Sequence, residues 1–330
     1  MNNKGKFMHD LLLSSVALLS FAGVLGAKSD LSNITIHQLE NHITQQEAAV
    51  AGVIDGAQKL IRWYDAPNTP TDTVILYFHG YSASRQEIDP VPKLLADALG
   101  ANIFYTRFKG HGITGGGVAF KGVTFEDWIA DAEEAMQIAR ILGKKVIIIA
   151  HSNGAVMAMH LMQQYPQEIV AGLFVAPNFR PTNRASTLLT NKWGYKLATL
   201  LYKDSLYGSV DGDKFTAPEG LFPHVWSNTQ HLHATQALAI GVKRLQAYPV
   251  ERMRVPLFVI ASDHDKVVET SYTKKIFMRY GVENQTAKEL RIENHTNTQG
   301  EHTITGDMKA PHTSKPFAQA MLAFIHAQQP

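Results

Sequence analysis

The sequence predicts an α/β fold, a mostly parallel central sheet with helices on both faces. Three observations predict it. Short apolar runs rich in β-branched residues recur along the chain, helical periods separate them, and a serine stands where one such run passes straight into a helix. A run that is apolar at every position suits a strand buried on both faces, which is the situation inside a parallel sheet.

The strands are read in order. Asp72-Thr-Val-Ile-Leu-Tyr-Phe78 comes first, followed by Ala101-Asn-Ile-Phe-Tyr105, Lys145-Val-Ile-Ile-Ile-Ala150, Ile169-Val-Ala-Gly-Leu-Phe-Val175 and Val255-Pro-Leu-Phe-Val-Ile-Ala261. Lys288-Glu-Leu-Arg-Ile292 is the last. Between them, Thr124-Phe-Glu-Asp127 has the spacing of a capping box, and Trp128, Ala132, Ala135, Ala139 and Leu142 then recur on one helical face. Ala155–Met162 reads as a helix that stops before Pro166, and Phe317–Ile325 as a final helix. Strand and helix in alternation argue for a sheet covered on both faces. From Arg180 to about Arg252 no strand-like run occurs, although Trp193, Tyr195, Tyr202, Tyr207, Phe222 and Trp226 fall there. This stretch is expected to be a largely helical cap over the carboxyl ends of the strands.

Composition narrows the chemistry. The 330 residues include no cysteine, which excludes disulfides, thiolate metal sites and cysteine nucleophiles. Thirty-one Lys+Arg against 29 Asp+Glu leave a net charge of +2, without the basic excess expected of a nucleic-acid partner. Lys4 and Lys6 precede an apolar run over residues 11–27 that ends in small residues, the pattern of a secretory signal. Residues 1–27 are therefore expected to be removed on export to the periplasm or the medium. The alternative is a retained N-terminal anchor, for which the run is short.

The segment Ala150-His-Ser-Asn-Gly154 carries the chemistry. A sharp strand-to-helix turn lifts a serine hydroxyl clear of the backbone, and the helix that starts there aims its first N–H groups at a developing anion. The residues two before and two after the serine must be small, and here they are Ala150 and Gly154. A serine becomes a nucleophile only beside a base, and the base in turn needs a carboxylate to hold its tautomer. Asp263 and Asp265 stand after a late strand, and His295, His302 and His312 follow the last one.

With these motifs the chain resembles the α/β-hydrolases, within the monoglyceride-lipase-like and lysophospholipase-like serine hydrolases, from about residue 50 to the end. His79-Gly80-Tyr81 is similar to the family's oxyanion loop, and Phe108-Lys-Gly-His-Gly112 to its Arg-Gly-His-Gly segment. The resemblance implies Ser152 as nucleophile, Asp265 as the acid ahead of Val267-Val268, and the backbone N–H groups of Tyr81 and Asn153 as oxyanion donors. It favours His302, a few residues ahead of Gly306-Asp307, as the base, with His295 the competitor. It implies hydrolysis of lipophilic esters such as monoacylglycerol or lysophospholipid, with no cofactor and no metal, and leaves peptidase, thioesterase and acyltransferase chemistry open. The rival class is a non-catalytic binding protein on the same fold.

The remaining candidates are read more plainly. His231-Leu-His233 is expected to be ordinary surface, His151 to serve packing or hydrogen bonding, and Gly115-Gly-Gly117 to be a mobile loop. Lys192, Lys196 and Lys203 among aromatics suggest transient contact of the cap with a membrane surface, against the default of a solvated helical face.

Overall fold

The computed structural model describes residues 31–202, 206–207, 225–227, 229–294 and 301–328. The expected export signal, Lys203, Phe222 and His295 lie outside the described residues. Among the described residues, no helix is long and apolar enough to cross a membrane.

A seven-stranded sheet runs through the molecule in the order β1-β3-β2-β4-β5-β8-β9. The strands are β1 (Leu60–Arg62), β2 (Thr71–Phe78), β3 (Asn102–Tyr105), β4 (Gly143–His151), β5 (Ile169–Val175), β8 (Leu257–Ala261) and β9 (Lys288–Ile292). All neighbouring pairs are parallel except β1 with β3. The six expected strands are all present. The edge strand β1 was not anticipated, because three residues give no periodicity to read.

Alternate residues of each strand enter opposite cores. Val74, Leu76, Phe78, Val146, Ile148 and Ala150 face one layer, with α3 (Phe125–Leu142), α4 (Gly154–Gln164) and α6 (Leu232–Gln246). Ile75, Tyr77, Ile147, Ile149, Leu173 and Phe258 face the other, under α2 (Val91–Leu99) and α8 (Pro311–His326). The capping box forms as expected: Asp127 N–H donates to Thr124 Oγ1 at 3.2 Å and Thr124 N–H to Asp127 Oδ2 at 2.8 Å. Helix α8 starts six residues earlier than expected, and Pro316 lies within it.

The 180–252 stretch is only partly an outlying layer. A 3-10 turn (Arg184–Thr190) and α5 (Lys192–Tyr202) pack against each other and against α6, and α6 contributes Ala234, Ala237, Val242 and Leu245 to the main core. A two-residue ladder of β6 (Leu206–Tyr207) with β7 (Gln230–His231) interrupts the helices, too short to leave a strand signature. The Gly115–Gly117 segment is not a loose loop. It enters a 3-10 helix (Gly116–Phe120), and Gly117 N–H donates to Thr229 Oγ1 at 2.8 Å. Nor is His231 surface. It is buried, and its Nδ1 accepts the His233 N–H at the start of α6, while His233 Nδ1 accepts from Gly122 N–H.

An N-terminal helix, α1 (Ile36–Ala48), was also unforeseen. Its inward stripe is Leu39, Ile43 and Glu47, so a charge sits where a third apolar residue would have announced the helix. Glu47 takes a two-pronged ion pair from Arg107, at 2.7 and 2.8 Å, in the loop after β3. Lys59 pairs with Glu134 beside it, at 2.5 Å. Near this cluster Asp131 accepts the Lys109 N–H at 2.7 Å, and burial pushes its carboxyl up to about 6.

That upward shift has a sign. A carboxyl whose folded-state pKa is raised favours folding below its ordinary range, and this advantage is lost as pH rises through about 6. Asp131→Asn keeps an oxygen for the Lys109 N–H and removes the half-buried charge. The variant is expected to be more stable than the parent at pH 8, by about 1 kcal/mol after allowing for partial exposure, with the gain gone at pH 4. Chemical denaturation at the two pH values measures it, and a gain independent of pH would contradict the account.

Candidate active site

The order of the sheet reverses around β2. Strand β3 lies on one side of it and β4 on the other, so the connections leave the carboxyl ends of β2 and β4 in opposite directions. A crevice opens at such a switch point, and ligands bind there in open α/β sheets. Phe78 of β2 is in register with Ala150 of β4, which sets His79-Gly80-Tyr81 next to His151-Ser152-Asn153. Both segments expected to matter are thus neighbours because of strand pairing.

Ser152 has φ +49°, a left-handed conformation that costs a non-glycine residue free energy and needs support. The support is local: Ser152 N–H donates to Val175 O at 3.0 Å, and Ser152 O accepts from Ala155 and Asn178 N–H. Gly154 is obligatory on steric grounds, since a Cβ there would stand 2.3 Å from Phe78 O. Ala150 is fully buried in the core, so the sheet has room for its methyl group.

Three side chains from distant segments meet at the crevice. His302 Nε2 lies 2.8 Å from Ser152 Oγ, and His302 Nδ1 lies 2.8 Å from Asp265 Oδ2. The second oxygen, Asp265 Oδ1, accepts the N–H groups of Val267 and Val268 at 2.7 and 2.9 Å, which orients the carboxylate. A carboxylate facing Nδ1 fixes the proton there and leaves Nε2 as an acceptor for the serine hydroxyl. Asp263 points elsewhere and pairs with Lys274 at 2.6 Å. His312 is exposed in the first turn of α8.

The Tyr81 loop rests on an aromatic floor. His79 bridges the Gly80 carbonyl through Nδ1 at 2.9 Å and the Phe108 N–H through Nε2 at 3.2 Å, a pattern that suits the neutral ring. Burial lowers the pKa of His79 and of His111, so both stay uncharged in this setting. Tyr81 packs on the rings of His111, Phe120 and Trp128. The Gly-His-Gly segment therefore supports the loop and does not reach the crevice itself. The crevice holds about 490 Å³ and is bordered by Tyr81, Asn178, Trp226, Leu238 and Val267 as well as Ser152 and His302.

Sequence reasoning missed two acidic residues here. Glu301, adjacent to His302 and held at φ +45°, accepts from Ser262 Oγ and lies 3.3 Å from His264 Nδ1, tying the His302 loop to the Asp265 loop. Glu87 is 1% exposed and lies 3.0 Å from His151 Nδ1. Neither carried a signal, because an isolated Glu in a polar stretch reads as solvated. Among the described residues no group of His, Asp or Glu is placed to hold a metal ion.

The sheet order and a serine on a strained strand-to-helix turn define a serine hydrolase of the α/β-hydrolase type. The chain belongs to the serine aminopeptidase S33 family, whose model matches residues 69–298. No curated protein matches the sequence. Among solved structures it is similar to one from a study of LipS and LipT, two metagenome-derived lipolytic enzymes, with 19% identity, a TM-score of 0.64, and 84% of this chain and 100% of that one covered. It is also similar to a soluble variant of monoglyceride lipase from Saccharomyces cerevisiae in complex with a substrate analogue, at 17% identity, TM-score 0.59, and 84% and 94% coverage. A monoacylglycerol lipase from Paleococcus ferrophilus gives 14% identity, TM-score 0.59, and 82% and 98% coverage.

Because Gly154 leaves no room between α4 and β2, Gly154→Ala is expected to lose about 2–3 kcal/mol of stability. Ala150→Gly, which only removes a methyl group, is expected to lose no more than about 1 kcal/mol. Urea unfolding of the two variants checks the contrast, and equal midpoints would refute the steric argument.

Proposed function

We propose that the protein hydrolyses carboxylic esters through an acyl-serine intermediate, with Ser152 as nucleophile, His302 as general base and Asp265 as its orienting carboxylate. The observation that carries this reading is the continuous relay from Ser152 Oγ through His302 to Asp265, with 2.8 Å at each step. In the proposed reaction Ser152 Oγ attacks the ester carbonyl carbon while His302 Nε2 takes the hydroxyl proton. The N–H groups of Tyr81 and Asn153 receive the negative charge on the carbonyl oxygen, each donor being worth about 3 kcal/mol of barrier. The intermediate collapses with cleavage of the C–O bond to the alcohol, which leaves with the proton from His302. Water, deprotonated by His302, then attacks the acyl carbon, the bond from that carbon to Ser152 Oγ breaks, Oγ takes the proton back from His302, and the acid is released.

Lipophilic esters such as monoacylglycerol or lysophospholipid are the proposed substrates. The structural likeness to lipases and a mixed crevice with Tyr81, Trp226, Leu238 and Val267 on its walls support this. A peptidase that selects a free amino terminus needs an uncommitted carboxylate near the nucleophile. Among the described residues the one carboxylate on the crevice wall is Glu87, and it faces His151, which favours the ester reading. The cap is proposed to touch lipid surfaces. Trp193, Leu197, Leu200 and Leu201 recur at helical spacing on α5, with Trp193 81% exposed, and Lys192 and Lys196 flank them.

A fluorophosphonate is expected to label Ser152, and Ser152→Ala to lose at least 10⁴-fold, in round order of magnitude, of activity on p-nitrophenyl esters of increasing chain length. Full activity in a folded Ser152→Ala protein would end the reading. Trp193→Ser with Leu200→Ser is expected to weaken sedimentation with anionic lipid vesicles about tenfold while hydrolysis of a water-soluble ester stays unchanged. Unaltered vesicle binding would remove the membrane-contact proposal and leave the chemistry standing.

A further inference from the structure

Behind the proposed base lies a second histidine–carboxylate pair. Glu87 and His151 are 1% and 2% exposed, with 3.0 Å between Glu87 Oε2 and His151 Nδ1. Glu87 also accepts the Gly80 N–H and, at 3.1 Å, the Tyr77 hydroxyl, so its position is fixed from β2 and the Tyr81 loop. On the far side of the ring, His151 Nε2 is 3.3 Å from the backbone carbonyl of His302. The rings of His151 and His302 are 5.1 Å apart, centre to centre.

We propose that His151, held by Glu87, is a positioning residue that anchors the backbone of His302 and sets the electrostatic setting in which His302 takes its proton; this rests on the reading of His302 as the base. One ring nitrogen of His151 stands at a backbone carbonyl, and the other, Nδ1, is 3.0 Å from Glu87 Oε2, at ion-pair distance but not aligned as a hydrogen bond. A protonated ring donates to the carbonyl and sets its positive charge against the carboxylate. Burial alone would strip the ring of its proton, but the Glu87 charge and the His302 carbonyl outweigh it and raise its pKa. Burial likewise works against the Glu87 carboxylate, and the His151 charge overcomes it, holding that carboxyl below the usual range. The charged and titratable groups facing this ring are Glu87 from the loop after β2, Tyr77 and His79 from β2 and its end, Asp265 after β8, and His302 itself.

The functional consequence follows from placement. A cation beside His302 makes a second positive charge there less favourable. The same hydrogen bond pins a loop whose neighbouring residue, Glu301, already sits in a left-handed conformation. Without the anchor, that loop has fewer restraints to keep Nε2 within reach of Ser152.

The test uses the intact protein and two variants. In nitrogen-15 spectra of histidine-labelled wild-type protein, both His151 nitrogens are expected to be protonated from pH 6 to 8, and a neutral ring at pH 7 overturns the proposal. His151→Gln is expected to lower kcat on a water-soluble p-nitrophenyl ester about 10- to 100-fold with KM within about threefold, and to move the acid limb of kcat/KM upward by about one pH unit. Glu87→Gln is expected to cost a similar factor, and the double variant no more than either alone, since the two act as a unit. An unchanged rate and pH profile in folded His151→Gln, with Ser152→Ala inactive, overturns this inference and leaves the triad intact. Activity in Ser152→Ala removes the triad instead. If the variants do not fold, the wild-type spectra decide.

Discussion

Much of this molecule follows from one close approach, that of α4 to the end of β2. Strand β4 lies between β2 and β5, and α4 must leave its end without a loop. The chain can turn so sharply only by placing Ser152 at positive φ and a residue without a side chain at 154, where Phe78 O would otherwise meet a Cβ. Those two requirements put the hydroxyl above the sheet and start a helix beneath it. The strain is local, and the parallel pairing of β4 on both sides resists its relaxation.

From that turn outward, each element positions a group by backbone contacts more than by side-chain choice. Asp265 is oriented by two N–H groups of its own loop, and His79 holds the Tyr81 loop through the Gly80 carbonyl and the Phe108 N–H. His302 stands on a loop tied at Glu301 to Ser262 and at its own carbonyl to His151. Three loops that are remote in sequence are thereby stitched to one another around Ser152. With no cysteine in the chain, these contacts and the two apolar cores carry the stability without a covalent tie.

The legible parts of this fold are those whose burial is two-sided. Residues 146–150 of β4 and 74–78 of β2 are apolar at every position because both faces are covered, and the sequence shows it directly. Ser152 and Gly154 were legible for the same reason, as an interruption at the end of such a run. What stayed hidden rests on charge inside the protein. Helix α1 shows Glu47 where a leucine would have revealed it, because Arg107 waits opposite. Glu87 sits among Arg85, Gln86 and Asp89, and nothing in that stretch says that one of its acids is enclosed with His151. His231 misled in the opposite direction, since a His-x-His pattern in a polar segment gives no hint that one ring caps a helix.

The hidden charges are not scattered. Glu47 with Arg107 fixes the loop after β3, whose Phe108 N–H holds His79 and whose His111 packs on Tyr81, and Glu87 with His151 reaches the carbonyl of His302. A buried ion pair is a weak source of net stability, because desolvation offsets most of its attraction. Its strength is geometric: losing either partner leaves an uncompensated charge, so alternative arrangements of the same loops are strongly disfavoured. The apolar cores make the molecule fold, and they do not by themselves specify where Tyr81 and His302 stand. In this chain the specification falls to paired charges next to the crevice, where an error of one ångström would separate Nε2 of His302 from the hydroxyl of Ser152.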